Sequence, residues 1–319
     1  YTVTASKYGY IPQTVSGVVV VTDTVTTQDF ALQPAAMYTV EGTVTDANTG
    51  WPLYARIDIA GYPYGPVWTN PETGYYSVSL AEGIQYTFRV SAWVDGYLPE
   101  DRIVGPLTGD QTENFALQAD LVACNAPGYQ PTFIFFDDFE SGYANWTMTG
   151  LWNPENEADV CGSGIAPFPS SSNAAYYGID GVCNYDTGNA NSGELTLVAP
   201  VTLPPSGAVS LSFWSYERTE CGGDCYYDNR YVEISTDGGT WTILGEGNTE
   251  NVWYRRSFDL TPYLGQNVLI RFRFDTVDEI GNNFFGWMVD NVGIGTCVPS
   301  PGGLVVGNVY DANTGAGLT

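Results

Sequence analysis

Two segments of the chain, 265 residues apart, read almost alike: TVEGTVTDANTGWPLY at 39–54 and LVVGNVYDANTGAGLT at 304–319. Gly42 falls on Gly307, and Asp46-Ala47-Asn48-Thr49-Gly50 falls on Asp311-Ala312-Asn313-Thr314-Gly315. A second match lies at an offset of 85: Tyr1-Thr2 corresponds to Tyr86-Thr87, and Phe30-Ala31-Leu32-Gln33 to Phe115-Ala116-Leu117-Gln118. Between them KYGYIP (7–12) resembles VDGYLP (94–99). Self-similarity at a fixed spacing marks a repeated structural unit. The sequence therefore divides into the back half of one module (1–35), a complete copy (36–119), a segment without repeats (120–299) and the opening strand of a further copy (300–319). Both ends fall inside a module, so the expected reading is a piece of something longer.

The module reads as β structure. Tyr38, Val40 and Gly42 lead into a strand that stops at the DANTG turn, where Asp and Asn side chains bond the backbone and Gly supplies a positive φ. A second turn, Asn70-Pro71-Glu72-Thr73-Gly74, precedes a run in which Tyr76, Val78 and Leu80 alternate with Tyr75, Ser77 and Ser79. That is the period of a half-buried strand. Tyr86 to Ser91 alternates again. Composition agrees: 44% apolar and 14% aromatic residues can fill a core, while 37 Gly and 19 Pro with no long amphipathic stretch imply many turns. The expected fold class is all-β, with β-sandwich modules in series.

Val40-Glu41-Gly42-Thr43-Val44, then Asp46, Thr49-Gly50, Gly74-Tyr75-Tyr76 and Gly96-Tyr97-Leu98-Pro99 together resemble the carboxypeptidase regulatory-like domain. The resemblance covers 38–119 and both partial copies. It implies a transthyretin-like β-sandwich and a non-catalytic role on a secreted or surface protein.

The middle segment opens with Asp137-Asp138-Phe139-Glu140, continues to Asn145-Trp146-Thr147, and closes with Gly286-Trp287-Met288-Val289-Asp290-Asn291-Val292. Strand patterns lie between, at 209–216, 231–236 and 268–274; in the last, Ile270, Phe272 and Phe274 are expected inward, with Arg271 and Arg273 outward. Asp237-Gly238-Gly239 followed by Trp241 is a hairpin signal. These motifs resemble the jelly-roll group that includes MAM and choice-of-anchor J domains. The resemblance implies an extracellular adhesive or accessory sandwich. It also implies that the first and last strands lie side by side, so that Cys124 and Cys297 would close the domain. Cys161 and Cys183 flank a Gly- and Ser-rich loop, and Cys221 and Cys225 enclose Gly-Gly-Asp; cross-pairing among these four stays open. In similar jelly rolls the two end motifs meet at a cation site. The carry-over falls on Asp138, Glu140 and Asp290, with structural Ca²⁺ as the ion. The plainer alternative is that these residues form turns and solvated edges. The acidic run Asp275 to Asn283 lacks the EF-hand pattern and reads as a solvated loop. Asn145 heads an N-glycosylation sequon.

Charge and residue usage exclude several functions. The chain has 36 acidic residues against 10 basic ones, a net charge of −26, and no histidine. No His-dependent triad or imidazole zinc site can form. A nucleic-acid backbone would find too few cations to displace its counterions, and no apolar run spans a membrane. An even number of cysteines, six, points to an oxidising, extracellular compartment. No carboxylate pair is marked as catalytic, so this chain is not expected to be an enzyme; a catalytic domain would lie upstream of Tyr1. The first expectation is a surface fibre, stalk or filament whose modules pair with other copies through strand edges. The alternative is the accessory attachment region of a secreted subtilisin-like peptidase, whose C-terminal region the order of modules resembles. A third is a carbohydrate-binding module using exposed Tyr and Trp, although strand alternation makes core the default for most aromatics.

Overall fold

The computed structural model describes all residues except 221–225, 248–250, 303 and 318–319. The chain is all-β: among the described residues there is no α-helix, and two short 3-10 turns, Gly162–Gly164 and Thr261–Tyr263, interrupt the strands. It divides into two compact units. The first comprises Tyr1–Asp120, Asn125–Gly128 and Pro301–Thr319; the second comprises Leu121–Cys124 and Tyr129–Ser300.

The first unit holds strands β1 (Thr2–Ala5), β2 (Gln13–Ser16), β3 (Met37–Asp46), β4 (Ala55–Ala60), β5 (Val67–Trp68), β6 (Tyr75–Ala81), β7 (Tyr86–Ala92), β8 (Glu100–Val104), β9 (Gln111–Thr112) and β10 (Phe115–Leu117). One sheet runs β5-β4-β7-β8; another runs β10-β3-β6, with β9 also on β3; β1 and β2 form a two-stranded sheet. The alternation dictated by sequence packs the two larger sheets together. Tyr76, Val78 and Leu80 of β6 meet Tyr86, Phe88 and Val90 of β7, with Val40, Val44 and Phe115, in one buried cluster. Residue Tyr8 of the first repeat packs on this cluster, and its hydroxyl accepts a bond from the Ala81 amide at 3.2 Å.

The repeat is visible in the hydrogen bonds. Asp46 Oδ1 accepts from the amides of Asn48 and Thr49, both at 2.7 Å; Asp311 Oδ1 accepts from Asn313 and Thr314 at 2.7 and 2.9 Å. Gly50 and Gly315 close the two turns at φ 71° and 69°. Likewise the Ile11 amide donates to Gln33 O and the Ala35 amide to Gly9 O, as Leu98 does to Gln118 O and Asp120 to Gly96 O. Among the described residues, the strand expected before the second DANTG turn forms no ladder, and the bridge made around that turn is Tyr310–Gly317.

The second unit holds β11 (Tyr129–Asp137), β12 (Trp146–Met148), β13 (Trp152–Asn156), β14 (Asn173–Tyr177), β15 (Ser192–Leu197), β16 (Val201–Thr202), β17 (Val209–Arg218), β18 (Asn229–Ser235), β19 (Thr242–Glu246), β20 (Tyr254–Asp259), β21 (Asn267–Asp275) and β22 (Gly286–Pro299). One sheet runs β13-β14-β22-β17-β20 with β11 on β22; the other runs β12-β15-β21-β18-β19 with β16 on β21. All these pairs are antiparallel. The inner faces close on a core that includes Phe213, Ile270, Phe272, Phe274, Trp287 and Ile294. On the outer face of β21, Arg271 bonds Glu233 and Glu194 at 2.6 and 2.8 Å, and Arg273 bonds Glu233. The first and last strands, β11 and β22, run side by side from Tyr129–Pro299 to Asp137–Val292, and Cys124 is bonded to Cys297. Cys161 is bonded to Cys183. Cys221 and Cys225 lie outside the described residues.

Candidate functional site

Two places gather side chains that could carry a function. The first is the carboxylate set at the ends of β11 and β22. Asp138 and Glu140 follow β11, and Asp290 sits inside β22, fully buried. Asp290 and Glu140 direct their carboxylates to the segment 170–173, and Asp138 its backbone carbonyl. Asp290 accepts from the Ser170 amide and hydroxyl at 2.9 and 2.8 Å, and Ser170 Oγ also donates to the Asp138 carbonyl. Glu140 Oε1 accepts from the Ser172 and Asn173 amides at 2.6 and 2.7 Å, and Asp138 Oδ1 accepts from the Glu140 amide at 3.2 Å. Burial pushes the Asp290 carboxyl up to about 6, against the pull of the Ser170 bonds and with a further push from the Glu140 charge. Each carboxylate thus already orders a loop through N–H or O–H donors. Among the described residues no three Asp, Glu, Cys or His side chains gather closely enough to share a metal ion. The neighbouring Asp137, equally acidic in sequence, plays a different part: its Oδ2 accepts from Trp146 Nε1 and from the Asn145 side-chain Nδ2, both at 2.9 Å. The sequon nitrogen of Asn145 is therefore already hydrogen-bonded.

The second place is aromatic, and the sequence singled out none of its members. Tyr54 precedes β4, Trp68 ends β5 and Trp93 follows β7. These strands are adjacent, in the order β5-β4-β7, so the three rings come together at one end of the sheet. The Trp93 amide donates to the Tyr54 carbonyl at 2.8 Å and fixes the pair. Tyr54 stacks on Trp68 with centroids 5.0 Å apart, and Trp93 lies 5.5 Å from Trp68, edge to face. Trp93 is 66% exposed, and Tyr54 and Trp68 are more than a third exposed. They line a cleft of about 670 Å³ together with Pro71, Asn308 and Tyr310. The available signal was parity. Tyr86, Phe88 and Val90 face inward, so position 93 falls on the outward face, where a Trp needs a reason.

No protein-family model matches the chain. Its sequence is similar to Bacillopeptidase F of Bacillus subtilis (strain 168), 31% identical over 159 residues, which is 49% of this chain and 10% of that protein. The aligned stretch thus spans about a tenth of the relative's length. Among solved structures, the chain is similar to the K1 cleaved adhesin domain of Lys-gingipain from Porphyromonas gingivalis W83: TM-score 0.35, 19% identity, 53% of this chain and 98% of that one. It is also similar to TmCBM61, solved with β-1,4-galactotriose: TM-score 0.33, 16% identity, 50% of this chain and 94% of that one. At these scores the structural likenesses do not define what this chain binds.

Proposed function

We propose that this chain is a non-catalytic, extracellular attachment region of a secreted peptidase, and that its first unit binds neutral polysaccharide through Tyr54, Trp68 and Trp93. The observation that carries the proposal is the exposed, mutually braced aromatic trio lining a cleft. Clustered exposed aromatics cost solubility and mark a binding surface. Their π-faces suit the C–H faces of sugar rings, and rings already packed on one another lose little freedom on binding. The net charge of −26 selects against polyanions, and an aromatic cleft suits uncharged sugar rings. Similarity to Bacillopeptidase F supports the peptidase context. Two disulfides fit an oxidising compartment. The test is depletion of the protein by insoluble neutral polysaccharides, with soluble oligosaccharides titrated by tryptophan fluorescence. Trp93→Ala and Trp68→Ala are expected to weaken binding at least tenfold without changing the melting temperature of the second unit. No binding across the panel, or full binding by both variants, sinks the proposal.

A second reading, assembly into a fibre or stalk, is favoured by one feature. The β1–β2 sheet forms no ladder with any other strand among the described residues, so its edges are open to pairing. Sedimentation showing a monomer at all concentrations would remove it.

A further inference from the structure

We propose that Asp228, Asn282 and Glu220 hold a calcium ion at the end of the second unit where β18 begins and β21 ends. Asp228 Oδ1 and Asn282 Oδ1 are buried acceptors with no hydrogen-bond partner, on side chains whose residues are 0% and 2% exposed. A buried acceptor left empty is costly, and two of them on connected loops call for an explanation. A closed ring of contacts connects them. The Asp228 amide donates to Thr276 O at 3.4 Å. Thr276 Oγ1 donates to Asp278 O at 2.8 Å, and Asn282 Nδ2 donates to the same carbonyl at 3.0 Å. Gly281, next to Asn282, leaves the space taken by the Glu220 carboxylate, which would lie within 2.5 to 2.8 Å of a Cβ there. The ring closes where the Glu220 amide donates to Asp228 Oδ2 at 2.9 Å.

The chemistry of the ring favours a hard cation. The acceptor groups it carries are two carboxylates and a carboxamide oxygen, an all-oxygen set of the kind Ca²⁺ takes. The neighbouring Arg230 guanidinium is bonded to Glu217 and to the Asp228 backbone carbonyl. Asp228 Oδ2 is held by the Tyr185 hydroxyl at 2.5 Å and by the Glu220 amide, and such bonds orient a ligand without using its free oxygen. Glu220 is exposed, so the remaining oxygens of a bound ion would come from water on the Glu220 side. The place is separate from Asp138, Glu140 and Asp290, and it gives a role to the acidic 275–283 segment that its pattern alone does not.

The experiment uses the whole chain, stripped with EDTA, dialysed, and titrated with calcium chloride by calorimetry and by melting temperature. Calcium is expected to bind and to raise the melting temperature of the second unit. Glu220→Gln, on an exposed side chain, and Asn282→Ala are expected to weaken that binding at least tenfold. Asp290→Asn is expected to keep it. Three results overturn the proposal. One is no calcium response up to millimolar concentration, as a buried water in the ring would give. Another is wild-type affinity in Glu220→Gln, whose fold is checked by its unchanged melting temperature in EDTA. The third is loss of binding in Asp290→Asn alone, which assigns the ion to the other carboxylates.

Discussion

Glu155, next to last in β13, has one carboxylate oxygen bonded to the Gly162 amide at 3.0 Å and the other buried without a partner. Burial raises its titration to about 6, the Gly162 bond opposes this, and the charges of Asp180 and Asp159 add to it. The sign follows from linkage. A carboxyl that holds its proton more tightly when folded contributes stability below its unfolded pKa of 4.5, and that contribution is lost as pH rises through about 6. Glu155→Gln keeps an acceptor for Gly162 and removes the titration. Denaturant unfolding at several pH values is therefore expected to show wild type losing stability relative to the variant between about pH 4.5 and 6.5. A constant difference across that window would show that Glu155 ionises as freely in the folded chain as in the unfolded one. Single residues of this kind were the least legible in the sequence. Neither the orphaned oxygens of Glu155, Asp228 and Asn282 nor the aromatic trio follows from a pattern along the chain. Each depends on what an adjacent strand or loop brings beside it, and one-dimensional periodicity reports only which face a side chain occupies.

Strands and turns were far more legible, because their causes are local. Asp237 bonds the Gly239 and Thr240 amides at 2.8 and 2.7 Å, and these bonds hold its carboxyl well below the usual range; the hairpin is written in Asp-Gly-Gly itself. Asn70 caps its turn in the same way, through the Glu72 and Thr73 amides. Alternation in β6, β7 and β21 placed their buried residues correctly for the same reason. Neighbours across a sheet are another matter. Gly42 and Gly307 hold the same position of the repeat, yet a Cβ at Gly42 would lie 1.9 Å from the Glu113 carbonyl oxygen, while at Gly307 nothing lies within 4 Å. Gly42→Ala is expected to destabilise the first unit by about 2 kcal/mol or more, because backbone must move to admit the methyl. Gly307→Ala is expected to stay within about 0.5 kcal/mol of wild type. Paired thermal or denaturant melts decide this, and equal effects would mean that β3 and Glu113 are not packed this closely.

At the scale of the molecule, the all-β class and its build from β-sandwich modules were readable from composition, repeats and period. The condition of the 304–309 segment was not, since a strand pattern does not say whether a partner is present to form the ladder. The bond between Cys124 and Cys297, 173 residues apart in sequence, limits the unfolded chain more than any local contact does. A loop of that size corresponds to about 5 kcal/mol of lost closure entropy in the chain-entropy account. Replacing both cysteines with serine is expected to lower the unfolding free energy of the second unit by about 3–5 kcal/mol in urea titrations. A loss below about 1 kcal/mol would mean that the β11–β22 ladder alone holds the two ends together.

The same bond sits where the chain passes into and out of the second sandwich. A pull applied through the polypeptide on either side would cross the sulfur–sulfur link and leave the 173-residue span between the cysteines slack and unloaded. At roughly 3.4 Å per extended residue, that is about 60 nm of contour length withheld from stretching. Under oxidising conditions the domain would bear tension as a short covalent strap, and a reductant would turn it into a long, extensible tether.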